Sequence, residues 1–263
     1  MSGFSGPLVR ERLLANRAYY VRTDGVDTND GRANTSGGAF LTIPKAVDTV
    51  AKLDTNGFTV TIQVADGTYT GSVFLRNVVG AEIAGSLIIQ GNNSTPSNVL
   101  ISTTSNSAFS ANAIQSVWDV RDLKVQTTTS GYGILATLGA AVRYQNIDFG
   151  ACANSQVAAF LGGRALETGV GAISGNAPSH WFAAQSGIID TDFAAFTLTG
   201  TPAFATAFAV SQTNALIQCA AMTFSGSATG ARYSTSGNGL INTGGGGASY
   251  LPGNSAGSGS GYL

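Results

Sequence analysis

Leu123-Lys124-Val125, Ile147-Asp148-Phe149, Phe196-Thr197-Leu198 and Met222-Thr223-Phe224 share one pattern, apolar-polar-apolar, at a nearly constant step. Their middle residues lie 24, 49 and 26 positions apart, which is one, two and one unit of about 25. Alternation at period two marks a strand with one buried face. A unit of this length without a helical period inside it predicts a solenoid wound strand by strand. The double gap predicts a further coil near Ala172-Ile173-Ser174. In this register Leu123, Ile147, Phe196 and Met222 form one inward column, and Val125, Phe149, Leu198 and Phe224 form a second. Lys124 and Asp148 then point outward on adjacent coils, about 4.8 Å apart in strand spacing, and are expected to pair.

The flanking sequence extends the pattern. Residues 58–64, Phe58-Thr59-Val60-Thr61-Ile62-Gln63-Val64, alternate as a strand, and Asp66-Gly67 makes a turn before Tyr69. Leu87-Ile88-Ile89-Gln90 and Val99-Leu100-Ile101-Ser102 read as strands separated by turn residues. Upstream, Ile43, Ala46, Val47 and Val50 recur at helical offsets, with Thr42 placed to cap the helix and Pro44 in its first turn. Ala18-Tyr19-Tyr20-Val21 reads as a first strand and 24–38 as a polar loop. The stretch 177–187, with Pro178, His180 and Trp181, reads as a loop excursion. Residues 1–18 form a short helix or extended arm, either a frayed terminus or an attachment to a larger assembly. The end of the chain, 244–263, is rich in Gly and Ser, the composition of a flexible tail. The expected organisation is an arm (1–18), a loop and capping helix (19–57), coils (58–243) and a tail (244–263).

Composition narrows the function. Only 10% of the 263 residues are charged, while 43% are hydrophobic and 9% aromatic, so a sizeable core is available without a charged surface. The net charge of −1 supplies no basic field for phosphate contacts, which argues against nucleic-acid binding. No run of 18 apolar residues predicts membrane insertion, and no secretory signal is expected. Cys152 and Cys219 lie 67 residues apart, not a whole number of units, and read as buried free thiols.

A resemblance rests on Tyr20-Val21, Asp24-Gly25, Asp27, Asn29-Asp30-Gly31, Ala39-Phe40-Leu41-Thr42-Ile43, Lys45-Ala46-Val47 and Val60-Thr61-Ile62-Gln63-Val64-Ala65-Asp66-Gly67-Thr68-Tyr69. These resemble the opening of phage tail-spike-like and pectin-lyase-like β-helix proteins, over about residues 19–75. Tyr250-Leu251-Pro252-Gly253-Asn254-Ser255-Ala256-Gly257 resembles a short C-terminal motif of phage tail proteins. The resemblance implies an all-β, right-handed, single-stranded parallel β-helix with an N-terminal capping α-helix. It also implies a virion appendage of tail-spike or tail-fibre type, packed as a homotrimer, docked to other virion proteins through the N-terminal arm and contacting a host cell-surface polysaccharide. Lyases, hydrolases, inert spikes and non-binding adaptors share this opening, so the fold alone does not choose among them.

Catalysis on such a scaffold needs paired carboxylates. Asp190 and Asp192, at i and i+2, are the best pair, with His180 and Trp181 near in sequence to line a sugar subsite. Ordinary surface aspartates explain the same residues. Trp118, Tyr132, Tyr144, Trp181 and Tyr233 are candidates for outward aromatic faces that stack on sugars, although most aromatics are core. Asp24, Asp27, Asp30 and Asn29 form the densest oxygen cluster, but their spacing is not that of an EF-hand, and Asp-Gly turns need no ion. No phosphate loop, dinucleotide fingerprint or nucleophile elbow occurs, so neither a cofactor nor a metal is expected.

Overall fold

The computed structural model describes residues 10–81 and 84–263. The chain is a parallel β-solenoid of about seven turns, with a single α-helix among the described residues. Each coil contributes to three faces. The first carries Arg17–Val21, Val60–Val64, Leu87–Gln90, Arg164–Glu167, Ile188–Asp190, Leu216–Gln218 and Leu240–Asn242. The second carries Gly67–Tyr69, Val99–Thr103, Val170–Ile173, Ala195–Leu198 and Thr223–Ser225. Two long strands, Trp118–Thr127 and Ala141–Phe149, serve both by turning at Asp122 (φ 62°) and Asn146 (φ 50°). Asp and Asn tolerate this left-handed conformation better than most residues, and Asn146 Nδ2 donates to Asp122 Oδ1 at 2.8 Å. The third face carries Val73–Phe74, Phe109–Asn112, Ile134–Thr137, Val157–Phe160, Trp181–Ala184, Ala209–Gln212 and Tyr233–Ser236.

Stacking turns the sequence period into columns. Leu87, Trp118, Val142, Ala165, Ile189, Ile217 and Ile241 lie one above another on the first face, all buried. Ile101, Val125, Phe149, Ile173 and Leu198 do so on the second. The expected pairing of Leu123 with Ile147 and Val125 with Phe149 is present, and the further coil lies near the expected place but one residue earlier, as Gly171-Ala172-Ile173, so that Ile173 faces inward. Lys124 meets Asp148 at 3.0 Å. Ser174, one coil further on, completes the link: Lys124 Nζ donates to Ser174 Oγ at 2.7 Å, and Ser174 Oγ donates to Asp148 Oδ1 at 2.6 Å.

The fourth repeat differs from expectation. Phe196 pairs with Phe224, not Met222, so the step here is 28 residues. Val170 pairs with Ala195 and Leu166 with Asp190, so one residue is added at the corner holding Asp192 and Phe193. Ile173 pairs with Leu198 at a step of 25, while Trp181 pairs with Ala209 at 28, so three more are added in 199–208. The stretch 177–187 is likewise not a loop excursion. Trp181–Ala184 is a regular strand of the third face.

Both ends of the solenoid are covered. The helix Ile43–Val50 buries Ile43, Ala46, Val47 and Val50 against the first coil, hiding its open end. Thr42 Oγ1 accepts from Lys45 N at 3.3 Å and donates to Asp27 Oδ2 at 2.8 Å; Asp27 Oδ1 also accepts from Leu41 N and Thr42 N, both at 2.9 Å. The described part of the arm is extended rather than helical: Glu11–Arg12 pairs with Leu53–Asp54, and Leu13 is buried. Residues 1–9 of that arm lie outside the described residues. The segment 244–263, despite its composition, packs on the last coil. Tyr250 Oη accepts from Met222 N at 2.6 Å and donates to Cys219 O at 2.9 Å. Leu251 is buried, and Ile241 N donates to Gly261 O at 2.7 Å. Cys152 and Cys219 are buried free thiols, each pushed up to about 12 by burial. Among the described residues no helix is long and apolar enough to cross a membrane.

Removing Asp148 takes the ion-pair partner from Lys124 and the acceptor from Ser174. Asp148→Ala is expected to cost about 1–3 kcal/mol in urea unfolding, the cost of leaving partly buried polar groups unpaired. A loss below about 0.5 kcal/mol would reduce the link to an ordinary exposed ion pair.

Candidate functional site

Alternation on the third face decides which side chains reach the surface. Val157, Ala159, Trp181, Ala183 and Ala209 point inward and are buried. Ala158, Phe182 and Val210 therefore share one outward column, and Phe160, Ala184 and Gln212 share the next. Tyr132, in the connection before Ile134–Thr137, comes alongside: its ring is 5.5 Å from Phe160, and Phe160 is 5.1 Å from Phe182, both edge to face. The Tyr132 and Phe182 rings, backed by Phe160, and the adjoining corner border a groove of about 250 Å³. Its lining adds Asn154, Ser155, Pro178, Ser179, Thr206, Val210 and Gln212 to Tyr132 and Phe182. Ser155 Oγ and Ser179 Oγ are 2.7 Å apart, a hydroxyl ladder across two coils. Among the described residues no charged side chain lines the groove. It therefore offers aromatic surface beside neutral amides and hydroxyls, which suits a ligand that is itself uncharged and hydroxylated. Burial raises the Tyr132 phenol above its ordinary range, keeping it a neutral donor.

Of the candidate site residues named from sequence, only Tyr132 lines this groove. His180 and Trp181 do not form a sugar subsite. Both are fully buried in an aromatic cluster, with His180 between Phe149, Phe196 and Phe208 at ring distances of 5.1, 5.1 and 5.2 Å. His180 Nδ1 lies 2.7 Å from Gln156 Oε1. Gln156 Nε2 already donates to Gly150 O at 3.0 Å and Gly175 O at 2.9 Å, so its Oε1 accepts and His180 carries its proton on Nδ1. Tyr144 and Trp118 are buried too, and neither can stack on a sugar. Tyr233 faces the end of the coil and lies under Tyr262, ring centroids 3.8 Å apart and nearly parallel.

The structure separates the roles of the aspartates. Asp190 ends its strand, on the outward column between Leu166 and Gln218. Asp192 sits in the following turn, where its carboxylate accepts from Gln218 Nε2 at 3.0 and 3.2 Å and from the Ala220 amide. Neither lines the aromatic groove. In the N-terminal loop, Asp24 pairs with Arg22 at 2.8 Å, which holds its carboxyl below the usual range. Asp27 serves the helix cap, and Asp30 accepts from Arg32 N at 2.9 Å. Asn29 Nδ2 donates to the Ser36 and Ala39 carbonyls. Among the described residues no three His, Cys, Asp or Glu side chains gather as a metal site.

Phe160, Phe182 and Gln212 were not evident from sequence, because an outward aromatic on a strand reads like core. The available signal was the coil step itself, which sets Phe182 one place after inward Trp181. Scanned against protein-family models, curated proteins and solved structures, the chain matches none.

Burial lowers the His180 pKa to about 3. Since the unfolded imidazole titrates near 6.5, stability from neutral His180 is present above that pH and is lost as pH falls toward 3. Nitrogen NMR is expected to show the ring neutral at pH 5; a titration midpoint near 6.5 would put His180 in solvent.

Proposed function

We propose that the chain is a bacteriophage virion protein, a tail-spike- or tail-fibre-type appendage that contacts host surface polysaccharide through the third-face groove. The observation that carries this reading is the groove itself: Tyr132, Phe160 and Phe182 stand beside Asn154, Gln212 and the Ser155–Ser179 ladder, with no charge in the lining. Aromatic faces take the apolar side of a pyranose, and amides and hydroxyls take its hydroxyl groups. The scaffold supports the same reading. A solenoid with both ends covered resists end-to-end addition and presents its side walls as fixed surfaces. The opening at 19–75, with its capping helix, resembles that of phage spikes. A homotrimer, and docking to other virion proteins through the N-terminal arm, belong to the proposal by the same resemblance.

The groove also favours adhesion over cleavage. Glycoside hydrolysis places two carboxyl groups about a scissile bond, whereas the carboxylate of Asp192 is engaged by Gln218 and the Ala220 amide.

An array of bacterial surface polysaccharides probes this directly. The full chain is expected to retain a subset of them, and Phe182→Ala or Tyr132→Ala to weaken retention about tenfold, equivalent to about 1.4 kcal/mol. Asp190→Asn with Asp192→Asn is expected to leave retention unchanged. Retention of no glycan sinks the adhesive reading. A fall in polysaccharide viscosity that the double Asn variant abolishes makes the protein an enzyme instead. Sedimentation as a monomer removes the trimer.

A further inference from the structure

The coil interior holds one acid that neither the fold nor the groove accounts for. Glu167 occupies an inward position of the first face, directly over Tyr144, and is buried. Neither carboxyl oxygen reaches solvent or has a side-chain partner, and the Gly169 amide is the one backbone donor that acts on the group. Tyr144 Oη, Trp181 Nε1 and His180 Nε2, all in the same stretch of interior, are also buried without partners. A carboxylate in such a place has no cation to balance its lost hydration.

Among the described residues the surroundings supply no cation. On the strand below, Ala141–Phe149, the inward groups are Val142 and Tyr144, while Arg143 points outward and acts on Asp119. Arg121 acts on Asp119 as well. Asp119 itself, on Trp118–Thr127, disfavours a second negative charge at Glu167, adding to the effect of burial. Above, Ile188–Asp190 brings only another acid, Asp190, followed by Thr191, whose hydroxyl is directed to Gln218 O and Met222 Sδ. The third-face strands packed against this one, Ile134–Thr137 and Val157–Phe160, contain no titratable group. His180 is neutral. Arg164, at the start of the same strand, is exposed and forms no salt bridge with Glu167.

We propose that Glu167 is a proton-dependent latch inside the solenoid: as a neutral acid it lets the coils of 141–190 close, and on losing its proton it loosens them. Burial raises the Glu167 pKa well above its ordinary value, the neighbouring Asp119 raises it further, and the Gly169 amide acts in the opposite direction. A raised acid stabilises the fold fully below the unfolded pKa, near 4.5. That stabilisation is lost as pH rises toward the folded value.

The test follows the thermal unfolding of the full chain from pH 4 to pH 9, wild type against Glu167→Gln. Between the unfolded and folded pKa values, one proton makes the wild-type folding constant fall up to tenfold per pH unit relative to the Gln variant. Parallel profiles overturn the proposal. Should Glu167→Gln fail to fold, infrared spectroscopy of the wild type decides. The carbonyl stretch of a protonated carboxylic acid at pH 7, persisting in Asp119→Asn, supports the latch. Absence of that band, or its loss in Asp119→Asn, overturns it.

Discussion

Every coil of this protein hydrogen-bonds its backbone to the coil above and the coil below, and that repeated ladder sets the conditions for everything else. The rise per coil is fixed at the spacing of paired strands, about 4.8 Å. Any outward residue therefore has its counterpart on the next coil within contact distance, and like charges so placed repel. The 10% charge content follows from this constraint. Where other surfaces carry Lys and Glu, this one carries ladders of neutral polar groups, such as Gln126 on Ser102 and Asn242 on Gln218. Lys124 is admitted over an acid, Asp148. The same ladder leaves unpaired strands at each end, and two unrelated devices cover them: an amphipathic helix at one end and a Gly/Ser-rich segment at the other.

That second device shows where composition misleads. The segment 244–263 reads as flexible because Gly and Ser neither bury area nor restrict the chain. In the structure its few large residues do the anchoring, Tyr250 through Met222 and Cys219, Leu251 through burial, and Tyr262 through Tyr233. Small residues between them allow close backbone approach. A Cβ at Gly261 would lie 2.0 Å from Gly239 O. Helix, cap and coil step were legible because each rests on local periodicity. Which coil residues face a groove was not, since burial of His180, Trp181 and Tyr144 depends on what stands across the interior.

One missing repeat illustrates this dependence. Gly171-Ala172-Ile173 stands in register with the apolar-polar-apolar series, yet glycine takes its first apolar place and alanine its polar one. The reason lies one coil on: a Cβ at Gly171 would come within 2.4 Å of the Phe196 ring. Phe196 fills the space that Gly171 vacates, so the column is continuous in volume but not in sequence. Trp181 is balanced in the same way, by Ala165 and Gly171 on the other two faces of its coil. The same stretch of interior also holds polar groups, Tyr144 and Glu167 stacked in one inward column.

The coil that breaks the step is also the coil that builds the groove. Its added residues in 199–208 do not hang free: Thr206 N donates to Pro178 O at 2.9 Å and Ala205 N to Ala177 O at 3.1 Å, tying the longer connection to the coil below. Thr206 and Val210 thereby become a wall of the cleft whose floor holds Phe182. A strictly repeating solenoid has flat sides, because every outward residue is level with the one beneath it. Relief requires a coil of different length, and insertions in repeat proteins commonly gather on one face for this reason. The departure that displaces Met222 from its expected column is thus the same departure that gives this wall a concave surface.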